Sequence, residues 1–134
     1  MGDYPSSFDA REKWGNCIHP IRDQGNCGSC WAHASTEALS DRFCISSNGE
    51  QNVILSPQEL TSCDPYDGGC GGGTAKFAFN YFETHGVVDE TCFPYAQTET
   101  GEEVSCSSSC HGTKYYCDKS SMVHISDYNW GAMK

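Results

Sequence analysis

The alternation of apolar and polar positions predicts three helices joined by irregular chain. From Cys30 to Phe43 the residues Trp31, Ala34, Ala38 and Leu39 recur at helical spacing, with Glu37, Ser40 and Asp41 assigned to the opposite side. Val53 to Leu55 is a short strand-like run. Ser56 as N-cap, Pro57 at the first helical position and Glu59 three residues after the cap then mark the start of a second helix. The glycine-dense stretch Asp64 to Gly73 reads as loop. A third helix is expected from Thr74 to His85, capped by Thr74, with Ala75, Ala78, Phe79 and Phe82 on one face and Gly86 as its stop. Met1 to Gln24 and Phe93 to Asp118 look irregular. Val123 to Ile125 is strand-like but has nothing to pair with, so the chain is expected to stop short of a further element.

Composition narrows the class. The chain has 134 residues, sufficient for one compact domain, and carries 18 acidic against 8 basic side chains for a formal charge of −10. No Lys/Arg cluster occurs, which argues against nucleic acid or an anionic membrane as partner. No apolar run approaches the ~20 residues that span a bilayer. Ten cysteines suit a disulfide-stapled chain from an oxidising compartment. The polar start "MGDYPSSFDAREKW" has no leader character. The expectation is that a leader before Asp3 is absent from the chain.

The segment "DQGNCGSCWAHAS", Asp23 to Ser35, carries the candidate chemistry. Cys27 and Cys30 have the spacing of a redox pair, and a cysteine at a helix N-terminus is a stabilised thiolate. The stretch upstream, with its Pro, Gly and charges, is nevertheless a poor central strand for a thioredoxin-type unit. A zinc site would need a second short pair, and Cys63/Cys70 or Cys106/Cys110 are loosely spaced for it. The flanks favour a third reading. Gln24-Gly25-Asn26-Cys27-Gly28-Ser29-Cys30-Trp31 resembles the active-site segment of the papain family of cysteine peptidases. "SFDAREKW", "LSPQELTSCD", "GCGGG" and "CFPY" are similar to further segments of that family, in its cathepsin B-like branch. "CWAHAS" and "HGVVDETC" look closer to cathepsin X.

The resemblance implies an α+β, papain-like fold. Residues 1–118 would form mainly its helical left domain, with disulfide-stapled loops, and 119–134 would begin a β-rich right domain that is largely missing. It implies Cys30 as nucleophile and Gln24 as side-chain donor to the oxyanion. Gly28, Ser29, Trp31, Gly72 and Gly73 would contact substrate. Gly28 and Ser29 would admit its backbone, Trp31 would screen the thiolate, and Gly72 and Gly73 would pair with an extended peptide. For either of those two glycines a tight turn is an equally good explanation. The implied disulfides are Cys17–Cys44, Cys27–Cys70, Cys63–Cys106 and Cys92–Cys110, leaving Cys117 unassigned.

The family's His and Asn lie ~130–150 residues after the cysteine, past Lys134, so this chain alone is expected to be inactive. His19, His33, His85, His111 and His124 read as ordinary surface or packing residues. The implied partners are a peptide or protein substrate, the C-terminal domain of the same protein, and a propeptide or cystatin-like inhibitor. No cofactor or metal is implied, and the location would be lysosomal, endosomal or extracellular. An inactive peptide-binding module is the alternative from another class. Between Cys92 and Cys106 the chain has no histidine but carries Glu99, Glu102 and Glu103. A substrate carboxylate would be repelled there, so cleavage of internal bonds is expected rather than a carboxypeptidase of the cathepsin X type.

Overall fold

The structure, a computed structural model, describes residues 4–96 and 102–121. The strand-like run at Val123 to Ile125, His124 and Glu99 lie outside them. Four α-helices occur among the described residues: α1 (Ala10–Trp14), α2 (Cys30–Ser46), α3 (Pro57–Cys63) and α4 (Ala75–Thr84). α2 packs against both α3 and α4. The core between them is Trp31, Ala32, Leu39, Leu55, Leu60, Ala78, Tyr81, Phe82 and Val87.

Each later helix starts where its capping residue predicts. The Ser56 hydroxyl accepts from the Glu59 amide, and the Thr74 hydroxyl from the Phe77 amide. At the far end of α4, Gly86 has φ +69°, and a Cβ there would meet the Tyr116 ring at 2.9 Å. Turn geometry and packing both demand glycine.

Four expectations need correction. The segment Met1 to Gln24 is not wholly irregular, because Asp9 caps α1 by accepting from the Arg11 amide and a 3-10 turn follows at Gly15–Cys17. Val53 to Leu55 does not form a strand. Only Leu55 is bridged, to Asp89, with flanking bonds from the Ser56 amide to the Val88 carbonyl and from the Glu90 amide to the Ile54 carbonyl.

The buried face of α2 is also rotated from the apolar stripe. Ala34 is exposed, whereas Ser35, Thr36 and Ser40 are buried beside Trp31, Ala32, Leu39 and Cys44. Hydroxyls can be buried here because Thr36 Oγ1 donates to the Ala32 carbonyl at 2.8 Å and Ser40 Oγ to the Thr36 carbonyl at 2.7 Å. Ser40 Oγ also accepts from the Leu55 amide at 3.0 Å, tying the helix to the bridged segment. In α4, Ala75 is exposed and Tyr81 takes the core position instead.

Tyr81 is placed there by Glu59, which is 2% exposed. The Glu59 carboxylate accepts from the Val88 amide at 2.6 Å and the Tyr81 hydroxyl at 3.3 Å, and pairs with Lys114. Burial and the adjacent carboxylate both push the Tyr81 hydroxyl pKa up. Glu59 thus joins α3, α4 and two loops rather than bonding back to its own N-cap.

Four disulfides close the loops: Cys17–Cys44, Cys27–Cys70, Cys63–Cys106 and Cys92–Cys110. Each such link contributes about 2–4 kcal/mol by restricting the unfolded chain.

Candidate active site

Cys30 is the first residue of the 17-residue helix α2, and its thiol is free and exposed. The neighbouring Cys27 is 1% exposed and locked to Cys70. Cys27 and Cys30 therefore do not form a redox pair, and with eight cysteines in disulfides the soft-ligand zinc set does not assemble.

The N-cap of α2 is unusual. Ser29 is fully buried and makes no side-chain cap. Its hydroxyl lies instead 2.6 Å from the Tyr95 hydroxyl, which donates to the Gln24 carbonyl at 2.6 Å. The Ala32 and His33 amides donate to the Ser29 carbonyl, at 3.0 and 3.1 Å.

The glycine loop is clamped against this turn. The Gly28 amide donates to the Cys70 carbonyl at 3.0 Å, and the Trp31 indole to the Gly69 carbonyl at 3.0 Å. A Cβ on Gly28 would meet the Cys70 carbonyl oxygen at 2.5 Å, so close packing alone demands glycine there. A Cβ on Gly73 would collide with the Trp31 ring and Asp67 Oδ1, both at 2.6 Å. Gly72 has φ +112° with open space around its Cβ position, so backbone conformation sets its identity. Trp31 is itself 5% exposed and forms the floor under the loop.

Behind the loop, Asp64 and Asp67 face each other. Asp64 Oδ1 accepts from the Tyr66 amide at 2.8 Å, and Asp67 Oδ1 from the Thr74 amide at 2.7 Å. Burial, helped by the Asp67 carboxylate, raises the Asp64 pKa to about 6.

The described histidines make contacts elsewhere. His33 Nδ1 donates to the Ser29 carbonyl at 3.0 Å, and its ring meets Tyr95 edge-on at 4.5 Å. Burial lowers its pKa, and Nε2 is buried without a hydrogen-bond partner among the described residues. His85 stacks on Tyr81, and His111 is exposed in a loop.

His19 lies with Glu37 and Asp41 in a group whose ligand-type atoms are within 4.8 Å of one another. The Asn52 amide donates to the Asn16 carbonyl, which turns its oxygen toward His19 Nε2 at 2.7 Å. His19 Nδ1 is then 2.5 Å from Glu37 Oε1. That is the spacing of two atoms around one proton, closer than two ligands each ~2.0–2.2 Å from a tetrahedral zinc ion. Burial pulls the His19 pKa down, but the bonds to Asn52 and Glu37 outweigh it and the net shift is upward. Asp41 is raised to about 6, first by burial and then by Glu37. His19 and Glu37 form an ion-paired hydrogen bond with Asp41 beside it.

Sequence reasoning missed Tyr95 and Glu90. Arg22 pairs with Glu90 at 2.6 Å, and Glu90 accepts from the Tyr95 amide at 3.0 Å. The sequence signals were the segments "HGVVDETC", which holds Glu90, and "CFPY", which holds Tyr95.

Comparison with known proteins agrees with this geometry. The profile described as papain family cysteine protease matches residues 4–133. The chain is 46% identical over 114 residues to the Caenorhabditis elegans "Cathepsin B-like cysteine proteinase 5", covering 75% of this chain and 33% of that protein. It is 46% identical over 93 residues to Dictyostelium discoideum "Cathepsin B", covering 68% and 29%. The chain spans about a third of the length of the curated relatives it matches.

Among solved structures, the proform of the ragweed allergen cysteine protease Amb a 11 superposes with a TM-score of 0.74 at 33% identity, over 88% of this chain and 34% of that one. The proCathepsin B S9 of Trypanosoma congolense gives 0.74 at 33%, over 86% and 42%. The free thiol, the turn before it and the clamped glycine loop stand on a helical scaffold shared with these proteases: the chain belongs to the papain family of cysteine proteases and has cathepsin B-like relatives.

Proposed function

We propose that this chain carries the nucleophile half of a cysteine peptidase that hydrolyses peptide bonds of proteins through an acyl-enzyme. The observation that supports it most is Cys30: a free, exposed thiol at the first residue of a long helix whose N-cap hydroxyl is drawn elsewhere. The thiolate attacks the scissile carbonyl carbon. The Gln24 side chain and the Cys30 amide receive the developing oxyanion, and water later releases the acyl group. Gly72 and Gly73 offer backbone to an extended substrate, and Gly28, Ser29 and Trp31 shape the floor of the groove. The base and leaving-group acid are assigned to no described residue.

Residues 1–118 form the nucleophile-bearing unit in this reading, and 119–134 lead into the second one. Two of the solved relatives are proforms and one is a complex with E-64. A propeptide and active-site inhibitors, including those of the cystatin type, are accordingly proposed as partners here. No described helix is long and apolar enough to cross a membrane. The cysteine usage favours a lysosomal, endosomal or extracellular location.

The test is Cys30→Ala in the complete enzyme, expected to remove turnover by more than about 10³-fold, with Gln24→Ala costing about 10²-fold. Residual activity within tenfold of wild type in Cys30→Ala would overturn the assignment. Glu102 and Glu103 are exposed, and with Glu99 they disfavour a substrate carboxylate, so internal cleavage is the proposed mode. A strong preference for a free C-terminus over the blocked peptide would overturn that mode alone.

A further inference from the structure

We propose that Tyr95 is a positioning residue for Cys30 and Gln24, an inference that rests on the peptidase reading above. Its hydroxyl is 2.6 Å from the Gln24 carbonyl and 2.6 Å from Ser29 Oγ. These two residues bracket the turn that holds both reacting groups. Gln24 would supply the oxyanion donor, and Ser29 immediately precedes the nucleophile.

A phenol has one proton to donate and lone pairs to accept. With its proton on the Gln24 carbonyl, Tyr95 accepts from Ser29, and one oxygen sets the span between the two ends of the turn. So engaged, the Ser29 hydroxyl makes no cap of α2. Tyr95 is itself held at two further points: its amide donates to Glu90, which is gripped by Arg22, and its ring rests on the edge of His33.

The other side of the turn is anchored independently, by the Cys27–Cys70 disulfide and the bond from Gly28 to Cys70. Tyr95 holds the Gln24 end. Oxyanion donors work within a few tenths of an ångström, so a loosened Gln24 loses transition-state stabilisation before it loses substrate affinity.

Tyr95→Phe keeps the ring and its contact with His33 and removes only the hydroxyl. In the complete enzyme kcat should fall roughly tenfold with KM within about twofold. On the Gln24→Ala background the same substitution should cost only about threefold, because the oxyanion donor it positions is gone and only its effect on Cys30 remains. Equal losses on both backgrounds, or a loss confined to KM, would show Tyr95 to be a packing residue only and overturn the inference. Wild-type kcat in Tyr95→Phe would do the same while leaving the peptidase reading intact. Turnover that survives Cys30→Ala, or a complete enzyme without turnover, would overturn the peptidase reading and this inference with it.

A second measurement needs no turnover and uses the 134-residue chain. Alkylation of Cys30 by iodoacetamide should slow at least about threefold in Tyr95→Phe, as Ser29 becomes free to cap the helix. An unchanged rate in a folded variant, checked by its thermal transition, counts against the inference. Should Tyr95→Phe not fold, Ser29→Ala cuts the other end of the same bridge. In that variant no hydroxyl remains to cap the helix and Tyr95 should still bond Gln24, so the alkylation rate should stay within about twofold of wild type, and a larger slowing would overturn the link through Ser29.

Discussion

Two helices in this chain begin with serine, and the two serines do opposite things. At α3 the Ser56 hydroxyl accepts from the Glu59 amide at 3.1 Å and donates to the Phe93 carbonyl at 2.6 Å, so the helix start is satisfied and sealed. At α2 the Ser29 hydroxyl is equally buried but turns to Tyr95, and the residue after it is an exposed thiol. A cap stabilises its helix by giving an oxygen to an orphan amide. Withholding the cap leaves that amide field for a charge that forms only during chemistry. The same residue type at the same helix position is structural in one case and permissive in the other. The difference lies in the backbone, extended at Ser56 (ψ 110°) but not at Ser29 (ψ 21°), and in a tyrosine 66 residues away that engages the Ser29 hydroxyl.

The comparison can be broken most forcefully at the sealed end. Glu59→Ala removes the partner of Lys114, Tyr81 and the Val88 amide from a position 2% exposed. The loss should be about 3–5 kcal/mol in denaturant unfolding of the disulfide-intact chain. A change below 1 kcal/mol would mean that the carboxylate is not the hub described.

Gly28→Ala tests the open end next. Its Cβ would meet the backbone oxygen of Cys70, so the turn must shift, at about 1–3 kcal/mol. Cys30 alkylation should change with it, and an unaltered rate together with unaltered stability would mean that the two turns are not clamped.

The serines themselves give the sharpest contrast. Ser56→Ala should destabilise by about 1–2 kcal/mol. Ser29→Ala, which removes no cap, should cost less than about 1 kcal/mol. Equal losses in thermal unfolding would erase the distinction.

The smallest expected effect concerns pH. In the folded chain Asp64 has a pKa of about 6, against about 3.9 for an unperturbed Asp. The folded state therefore holds a proton that the unfolded chain has already released. Its contribution is complete below about pH 4 and is lost as pH rises through about 6. Asp64→Asn should flatten the decline in thermal stability between pH 4 and 7, by on the order of 1 kcal/mol at neutral pH. Some decline should persist. Asp41, also raised to about 6, and His19, whose upward shift is lost as pH rises through its folded value, act in the same direction. An identical pH profile in the variant would show that the Asp64–Asp67 pair does not hold the proton.

The helix starts were legible because capping is local. Ser56, Pro57 and Thr74 act on amides two or three residues away, and the Asp9 cap of α1 was equally present to be read. Cys30 was legible for a related reason, since its motif packs the free thiol, the turn and the helix start into eight consecutive residues. Other features depended on residues far apart in sequence. The strand-like Val53 to Leu55 met only one bridging partner, at Asp89. The buried side of α2 includes the Thr36 and Ser40 hydroxyls, which satisfy themselves on their own helix, and an apolar stripe does not show this. Glu59 carries a capping-box pattern, yet a tertiary amide at Val88 outcompeted its local partner.

The sequence by itself determined where helices begin and which thiol is placed to react, because those depend on contacts a few residues long. Only the tertiary structure decided which serine caps and which is diverted. That choice depends on where Tyr95 and Val88 arrive after the chain has folded back, and no local pattern encodes it.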